Sequence, residues 1–562
     1  MSAIERGAFS TLRCAGAWVL CMLLAACSID DTLGPDTLGA AGNDLIDANA
    51  AVTTAVSIET GTLQGAHADA AAGVRVFRGI PYAAPPVGDL RFRAPAPAAR
   101  WSGVRSGLDF GTACWQDFSY SSFVWSRGDF QRSEDCLYLN VWTGAQEQSE
   151  QRQVMVWFHG GSHTVGYGHS KIFDGTELAR QGVVLVSINY RLGPLGFLAH
   201  EALESEGAAG NYGLMDKVAA LKWVQRNIKA FGGDPANVTL FGQSAGSSSV
   251  CYLMASPQAR GLFHKAIGQS AACMGERTGD PDLNGYERGA ALVRAAGLAA
   301  DAAVTAADLR ALEPKTLLEA ARSSGWHNRS RVTIDGFMVP KPPLEVFAEG
   351  EHNQVPLLVG SMANEGHLLF PINDALTPSS LDKWLRKRFG AQADELRKLY
   401  ADELEQSAGF AQREILIDQF MAWGMRNWAR RNAATGQPSY LYFFSHVPPA
   451  FQLYLPHATD LQLPEGPRSA GAYHSGDLAY VFGTVGLVGM DWNDRDRELT
   501  RQITGYWTNF AKTGDPNGTG LPRWPAIDSV NAMVFDAVSS AQPGVRKAKL
   551  DVFDRVQAAA DE

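Results

Sequence analysis

The chain of 562 residues is long enough for several domains, although large α/β enzymes of this length are also built around one sheet. Apolar residues make up 46% of it and charged residues 19%, which is typical of a globular protein with a sizeable core. The formal net charge of −10 argues against a nucleic-acid-binding protein. We find no internal repeat, heptad array or phosphate-binding P-loop in the sequence.

The amino-terminal residues have the features of an export signal. Residues 15–26 form an apolar run that is too short to cross a bilayer as a helix, and the run ends directly before Cys27. This pattern resembles a bacterial lipoprotein signal, so we predict a signal peptide at 1–26 and a lipid on Cys27. Ser28, rather than an aspartate, then favours the outer membrane. The alternative is an ordinary secretory signal cut near the same place, which would leave the protein periplasmic or secreted.

The cysteines also indicate export. Of the seven cysteines, Cys14 and Cys21 would leave with the signal and Cys27 would carry the lipid. The remaining four form two equally spaced pairs, which in an oxidising compartment predicts two local disulfides, Cys114–Cys136 and Cys251–Cys273. Spacing alone leaves all three pairings of four cysteines open.

Beyond a tether predicted at 27–55, strand and helix signals alternate along the chain. Helical spacing of apolar residues predicts helices at 211–231 and from Ser247 to Pro257, and helical stretches at 275–330 and 375–435 predict a cap region. Short apolar runs rich in β-branched residues predict strands at 154–159, 183–190, 238–241, 266–269, 355–360 and 440–444. Strands separated by helices imply a mostly parallel sheet covered by helices.

The strand at 238–241 runs into a G-x-S-x-G pentad centred on Ser244. A glycine-rich chain of this length contains about 0.4 such pentads by chance, so its context has to decide. The strand–turn–helix context predicts a tight turn that needs Gly242 and Gly246 and exposes Ser244 at the carboxyl edge of the sheet. A similar stretch around Ser270 lacks the final glycine, and we interpret Ser270 as structural.

A serine hydroxyl needs a base, and the base needs an orienting acid, to act as a nucleophile at neutral pH. In α/β-hydrolases the acid and then the histidine follow the serine along the chain. Glu365 lies in a loop after the strand predicted at 355–360, and His474 lies in a later loop flanked by glycines. Both loops can reach the edge of the sheet where Ser244 is predicted.

Several longer motifs make the chain resemble the type-B carboxylesterases, a family that includes cholinesterases and bacterial p-nitrobenzyl esterases. They occur in the family's order over nearly the whole chain after the tether, at 77–92, 133–142, 189–193, 210–216, 231–246, 507–511 and 514–517. The resemblance implies a single α/β-hydrolase domain over 56–556. It would have a large, mostly parallel sheet flanked by helices, with helical cap insertions.

The resemblance also implies the roles of individual residues. Ser244 would be the nucleophile, Glu365 the acid and His474 the general base. The residues implied in the oxyanion hole and its support are Gly160, Gly161, Ser162, Gly242, Ala245, Gly246 and Asp477. The Cys114–Cys136 bridge matches a family disulfide, whereas the Cys251–Cys273 pair lies earlier and wider apart than the family's other pairs.

One region departs from the family pattern, and the role of another is left open by the sequence. Ser162 and His163 stand where the family has glycine or alanine followed by an apolar residue, so we expect His163 to make the pocket wall more polar. The Cys114–Cys136 loop contains aromatic residues that would either line the pocket entrance or pack under the loop. These aromatics are Trp115, Phe118, Tyr120, Phe123, Trp125 and Phe130.

His159, His163 and His169 cluster, but no cysteine or carboxylate cluster completes a metal site, so we predict no metal.

Together these features predict an exported serine hydrolase that acts on small to medium carboxylic esters, aromatic ones included. We predict no cofactor, no nucleic-acid partner, and membrane contact only through the lipid anchor. The alternatives are a lipase for longer acyl chains and a non-catalytic adhesion module, which some members of the family are. The presence of all three triad residues argues against the adhesion module. The sequence identifies neither the natural ester nor the oligomeric state.

Overall fold

The computed structural model describes residues 55–117, 131–207, 210–274, 285–298, 303–328, 331–367, 369–449, 468–488, 491–527 and 531–561. The predicted signal peptide at 1–26, Cys27 with its predicted lipid, and the tether up to residue 54 lie outside these residues. Five of the six loop aromatics also lie outside them, namely Phe118, Tyr120, Phe123, Trp125 and Phe130.

The strands are short and most are rich in β-branched and aromatic residues, as pleated, buried segments require. In chain order they are β1 (Val56–Ile58), β2 (Gly61–Gln64), β3 (Ala66–Asp69), β4 (Val74–Pro81), β5 (Val104–Ser106), β6 (Ala113–Cys114), β7 (Arg132–Ser133), β8 (Tyr138–Thr143), β9 (Arg152–Phe158), β10 (Val184–Ile188), β11 (Gly233–Gln243), β12 (Lys265–Gln269), β13 (Leu357–Met362), β14 (Ser439–Phe444), β15 (Ala532–Phe535) and β16 (Ser540–Gln542).

An eleven-stranded sheet in the order β16-β15-β14-β13-β12-β11-β9-β10-β8-β4-β3 forms the centre of the fold. The strands from β10 to β15 pair in parallel, while β3, β4, β8 and β16 pair antiparallel at the two edges. Because neighbouring parallel strands point the same way, the loops after β9, β11, β12 and β13 emerge at one edge of the sheet. This edge carries the residues of the candidate site.

The helices cover the sheet and build the cap. In chain order they are α1 (Thr176–Arg180), α2 (Gly193–Phe197), α3 (Glu201–Glu204), α4 (Tyr212–Asn227), α5 (Ala245–Ala255), α6 (Tyr286–Ala295), α7 (Ala306–Ala311), α8 (Pro314–Ser323), α9 (Pro343–Ala348), α10 (Pro378–Phe389), α11 (Ala393–Leu399), α12 (Ala401–Gln406), α13 (Ala408–Ile417), α14 (Gly424–Ala434), α15 (Leu478–Phe482), α16 (Asp494–Thr513) and α17 (Lys547–Asp561). A π-helical turn, Asp418–Trp423, joins α13 to α14.

The core lies on both faces of the sheet, because successive side chains of a strand point to opposite sides. In β9, Val154, Val156 and Phe158 pack into one hydrophobic cluster, whereas Met155 and Trp157 pack into the other. Both clusters are buried, which explains why the central strands are apolar runs without polar alternation. Within the described residues, no helix combines the length and apolarity needed to cross a membrane.

The predicted α/β architecture, a large and mostly parallel sheet flanked by helices, is confirmed. The sheet also contains β3, β4, β8, β15 and β16, which the sequence does not predict, and two predicted helices differ at their ends. The helix predicted at 211–231 ends at Asn227 and continues as a 3-10 turn, Ile228–Phe231, before Gly232 takes a φ of +78°. The helix predicted from Ser247 already begins at Ala245, because the turn at the end of β11 occupies one residue.

Candidate active site

Ser244 occupies a one-residue turn between β11 and α5. Its φ of +56° and ψ of −126° lie in a region that non-glycine residues rarely adopt, and its N–H donates to the Gln269 carbonyl at 2.8 Å. The side chain is partly exposed, although the residues on both sides of it are buried. The turn therefore presents the hydroxyl at the carboxyl edge of the sheet, as the sequence predicts.

The two glycines of the pentad are required by close backbone approach. A Cβ on Gly246 would lie 1.9 Å from the Phe158 carbonyl oxygen, and one on Gly242 would lie 2.5 Å from the Gly246 carbonyl carbon. Both contacts are with backbone atoms, which cannot turn away as a flexible side chain can. The elbow can therefore form only if these positions have no side chain.

His474 and Glu365 are in direct contact. Nδ1–H of His474 donates to Oε2 of Glu365 at 2.5 Å, and both side chains are buried. The other carboxylate oxygen of Glu365 accepts from the Met362 N–H at 2.8 Å, which holds the carboxylate in place. Nε2 of His474 lies 3.1 Å from the amide Nε2 of Gln243, an atom that can only donate. The two contacts place the proton on Nδ1 and leave a lone pair on Nε2, as a general base requires.

The loops that carry Glu365 and His474 are joined to each other through Asn364. The Asn364 N–H donates to the Ala472 carbonyl, its side-chain Oδ1 accepts from the Ala472 N–H, and the two distances are both 3.0 Å. Asn364 also forms an isolated parallel bridge with Tyr473. A Cβ on Gly471, whose φ is +68°, would lie 2.5 Å from Asn364 Oδ1. These contacts bring together two residues that are separated by 109 positions in the chain.

The loop after β9 exposes backbone N–H groups near the elbow. Gly161 has a φ of +103° and Ser162 a φ of +56°, and the Gly161 carbonyl accepts from the N–H groups of Thr164 and Val165 at 2.9 and 3.0 Å. In the described part of the chain, the N–H groups of Gly161, Ser162 and Ala245 donate to no protein group. Ala245 is the first residue of α5, whose N-terminus carries partial positive charge. Three such donors can bind a developing oxyanion.

Gly160 supports this loop through its carbonyl, which lies 2.8 Å from Nδ1 of His159. The His159 ring in turn stacks on Tyr190, with centroids 4.3 Å apart, and the Tyr190 hydroxyl donates to the His159 carbonyl at 2.7 Å. The loop is therefore anchored to the end of the neighbouring strand β10. His163 does not form the polar pocket wall that the sequence analysis expects, because its ring turns inward to Ser249 at 2.9 Å.

Asp477 is a buried carboxylate behind the acid and the base. Its Oδ2 accepts from Gln269 Nε2 at 2.8 Å and from the Tyr442 hydroxyl at 3.0 Å, while Oδ1 has no partner among the described residues. Burial raises the pKa of Asp477 to about 6, and the nearby charge of Glu365 acts in the same direction. The nearby His474 acts in the opposite direction and lowers the pKa of Asp477, so that Asp477 changes charge close to neutral pH.

The histidine cluster of the oxyanion loop has no metal-binding arrangement. His169 stacks on Phe110 with centroids 5.1 Å apart, and burial lowers the pKa of His169 to about 4 and that of His159 to about 3. Over the described ranges, no group of three or more histidine, cysteine, aspartate or glutamate side chains is placed to hold a metal ion. The described histidines of this loop serve packing and hydrogen bonding.

Both predicted disulfides are present. The Cys251–Cys273 bond ties α5, which begins next to Ser244, to the segment after β12. Of the loop aromatics, Trp115 is described, and the Arg132 guanidinium lies 5.7 Å from its ring centroid. The loop beyond it lies outside the described residues.

The side chains that surround Glu365 and His474 could not be identified from the sequence. Gln243 is one of the two variable residues of the pentad, Gln269 is the last residue of β12, and Tyr442 lies within β14. No motif marks them, and the only available signal was the predicted parallel sheet, which brings strand ends to one edge. Their contacts depend on strand order, which a single sequence does not give.

Comparison with known proteins places the chain in a family. The sequence model of the carboxylesterase family matches residues 52–553. The para-nitrobenzyl esterase of Bacillus subtilis is 36% identical over 468 residues, which are 81% of this chain and 89% of that protein. The fumonisin B1 esterase of Sphingopyxis macrogoltabida is 32% identical over 485 residues, which are 84% of each chain. A solved structure of a PNB esterase has a TM-score of 0.73 and 32% identity, and the match covers 89% of this chain and 99% of that chain. The chain therefore belongs to the carboxylesterase family and is a serine carboxylic-ester hydrolase with the α/β-hydrolase fold.

Proposed function

We propose that Ser244 is the nucleophile, that His474 is the general base and that Glu365 orients and stabilises the charged form of His474. The observation that carries the proposal is the buried 2.5 Å contact between His474 and Glu365, beside the strained turn that exposes Ser244. This contact fixes the tautomer in which Nε2 can accept a proton.

The proposed reaction passes through an acyl-enzyme. Nε2 of His474 takes the Ser244 hydroxyl proton while Oγ bonds the ester carbonyl carbon, and the N–H groups of Gly161, Ser162 and Ala245 bind the resulting oxyanion. The alcohol then leaves with the proton from His474. Water attacks the acyl carbon and gives a proton to His474. The bond from the acyl carbon to Ser244 Oγ then breaks, His474 returns that proton to Oγ, and the acid leaves.

Gln243 adds a condition to this scheme. Its amide donates to the same Nε2 lone pair that has to receive the serine proton. The amide must therefore give way when the Ser244 hydroxyl turns to His474. No cofactor takes part, because the proton transfers and the charge stabilisation all use groups of this chain.

We propose small to medium carboxylic esters, aromatic ones included, as substrates. The names of the relatives support this range, since one is an esterase for para-nitrobenzyl esters and another for fumonisin B1. The aromatic Trp115 at the start of the predicted pocket loop is consistent with flat substrates.

The decisive test is hydrolysis of p-nitrophenyl acetate, butyrate, octanoate and palmitate by the wild type and by Ser244→Ala. We expect Ser244→Ala to lose activity by at least about 1000-fold on every ester. A matched control is Ser270→Ala, because Ser270 has the same backbone twist, a φ of +59°, in the similar stretch after β12. It should keep near-wild-type rates. Rates that peak at palmitate would instead identify a lipase, and equal rates in wild type and Ser244→Ala would contradict the assignment of the nucleophile.

We also propose that the protein is exported and anchored to the outer membrane by a lipid on Cys27. The apolar run at 15–26 and the two disulfides support an oxidising destination outside the cytoplasm. Metabolic labelling with a radioactive fatty acid tests this. The wild type should incorporate label and the Cys27→Ser variant should not, whereas an unlabelled wild type in the soluble fraction would indicate an ordinary secretory signal.

A further inference from the structure

The three N–H groups of the proposed oxyanion hole come from two separate elements. Gly161 and Ser162 belong to the loop after β9, whereas Ala245 begins α5. An oxyanion can bind all three donors only if the two elements keep a fixed distance, because a misplacement of about 1 Å can cost about 100-fold in rate. A side-chain bridge between the elements would fix that distance.

His163 and Ser249 form such a bridge. Nε2 of His163, the residue directly after Ser162, lies 2.9 Å from Oγ of Ser249 on α5. Oγ of Ser249 lies 2.7 Å from the carbonyl oxygen of Ala245, one turn earlier in the helix. The chain of contacts therefore runs from the loop donors to the very residue that supplies the helix donor.

The direction of these hydrogen bonds follows from the number of protons. The Ser249 hydroxyl has one proton, and the Ala245 carbonyl can only accept, so the hydroxyl donates to that carbonyl. The hydroxyl oxygen then accepts from Nε2–H of His163, so a neutral ring carries its proton on Nε2. Burial lowers the pKa of His163 well below its usual value, and the charge of the nearby Lys217 acts in the same direction. The His163 ring is therefore neutral near pH 7.

The backbone of the loop needs such a restraint. Ser162 and His163 both have positive φ values, +56° and +58°, which are unfavourable for residues with a Cβ. The His163 carbonyl accepts from the Gly193 N–H at 2.7 Å, and its ring packs against Phe197 with centroids 4.9 Å apart. Together with the bond to Ser249, these contacts hold His163 from its backbone, its ring face and its ring edge.

We propose that His163 and Ser249 are positioning residues, whose hydrogen bond sets the loop donors Gly161 and Ser162 at the correct distance from the Ala245 donor. This inference rests on the proposed function, because the oxyanion hole is part of it. Neither residue touches the reacting atoms, and both act through the donors that do.

Three variants and a control separate this role from simple packing. His163→Phe keeps an aromatic ring against Phe197 and removes the hydrogen bond, and Ser249→Ala removes the same bond by deleting one oxygen atom. His163→Gln offers an amide N–H at a similar reach to Nε2. The matched control is Ser248→Ala, since the Ser248 hydroxyl also donates to the Ala245 carbonyl, at 3.0 Å, but does not contact His163.

The measurements are kcat and KM on p-nitrophenyl butyrate and the inhibition constant of an aliphatic trifluoromethyl ketone, which forms a tetrahedral adduct with an active-site serine. We expect His163→Phe and Ser249→Ala each to lower kcat about 10-fold with KM within about twofold, because a displaced donor costs less than a deleted one. The inhibition constant should rise by the same factor. In the double variant His163→Phe/Ser249→Ala, kcat should fall by about the same factor as in either single variant, because both substitutions remove the same hydrogen bond. The kcat of His163→Gln should lie within about threefold of wild type, and that of Ser248→Ala should match wild type.

Three results would overturn the inference. One is a fall in melting temperature in His163→Phe and Ser249→Ala with kcat and the inhibition constant unchanged, which would show a purely structural bond. Another is a double variant whose loss is the product of the single losses, which would show that the two residues act independently. If His163→Phe does not fold, the kcat and inhibition constant of Ser249→Ala alone decide whether the bond is purely structural. The third is retained activity in Ser244→Ala, which would refute the proposed function itself and is recognised without any of these variants.

Discussion

Replacing Asp477 by asparagine tests the electrostatics behind the proposed base. The carboxyl group is buried, two donors meet on its Oδ2, and its Oδ1 has no partner among the described residues. Asparagine has the same shape, accepts from Gln269 and Tyr442 through its carbonyl oxygen, and remains neutral at every pH. Asp477→Asn therefore imitates the protonated carboxyl group and removes only its titration.

The magnitude follows from the shift in pKa, which burial raises from 3.8 to about 6. A shift of about two units corresponds to about 3 kcal/mol, at 1.36 kcal/mol per unit. Because the pKa is raised in the folded protein, the folded state holds the proton more tightly than the unfolded state. The stabilising contribution is therefore complete below pH 3.8 and is lost as the pH rises through 6. The asparagine of Asp477→Asn does not titrate, so this variant does not lose that contribution as the pH rises.

Urea unfolding of both proteins at pH 4, 5, 6 and 7 measures this difference. We expect the free energy of unfolding of Asp477→Asn, relative to wild type, to rise by about 3 kcal/mol between pH 4 and pH 7. Asp374→Asn is the control, because Asp374 is exposed and its variant should keep a constant difference from wild type. A difference for Asp477→Asn that does not change with pH would refute the reasoning, since Asp477 would then ionise as freely in the folded protein as in the unfolded chain.

Three further substitutions test other parts of the site and fold. Gly246→Ala should lower kcat/KM on p-nitrophenyl butyrate by at least about 100-fold, because its Cβ would lie 1.9 Å from the Phe158 carbonyl oxygen. The control Gly486→Ala, whose Cβ would have no atom of the described residues beyond its chain neighbours within 4 Å, should match wild type. An active Gly246→Ala would contradict the elbow geometry. Asp496→Asn should destabilise the fold by about 3 kcal/mol at pH 7 in thermal unfolding. Burial by itself would raise the pKa of Asp496. The hydrogen bonds that Asp496 accepts from His446, Arg468 and Tyr480 outweigh this effect and hold its pKa below the ordinary value of 3.8. The stability gap should therefore be full above pH 3.8 and close as the pH falls below it, and a gap that widens in acid would disprove this. Gln243→Glu should move the acid limb of the kcat/KM profile about 0.5–1 unit to higher pH, because a carboxylate beside the base favours its protonated form; an unmoved limb would show that Gln243 does not contact the base.

The parts of the site that lie within one stretch of chain were predictable. The strand before Ser244, the helix after it and the two flanking glycines form a local pattern whose sterics can be worked out from the residues alone. Glu365 was predictable because it follows a recognisable strand. His474 was predictable because it lies in a later loop flanked by glycines, and the resemblance to the family implied the roles of both. The structure brings this acid and base into contact.

Contacts between distant strands were not predictable. The Asp477 environment joins Gln269, which is 208 positions away, to Tyr442, and it depends on the order β14-β13-β12 in the sheet. The antiparallel edge formed by β3, β4 and β8 also escaped prediction, because the register shifts in these strand pairs interrupt the regular alternation of side chains. A single sequence specifies which segments can be strands, but the pairing is decided by the packing of all of them together.

The orientation of the His163 side chain could not be predicted from the motif that contains it. Its place after the oxyanion glycines predicted a polar pocket wall, since a histidine is polar and the loop faces the site. The positive φ of His163 instead turns its ring inward, toward Ser249 and Phe197. Backbone conformation of this kind is set by the surrounding packing and is not visible in the residue type.

The central claim is that Ser244 carries the covalent chemistry, and trapping it with a fluorophosphonate tests that claim most directly. Peptide mass spectrometry of the treated protein should find the phosphonyl group on Ser244, in proportion to the loss of esterase activity, and the Glu365→Gln variant should label much more slowly. Full loss of activity with the adduct on another residue, or with Ser244 unmodified, would contradict the claim.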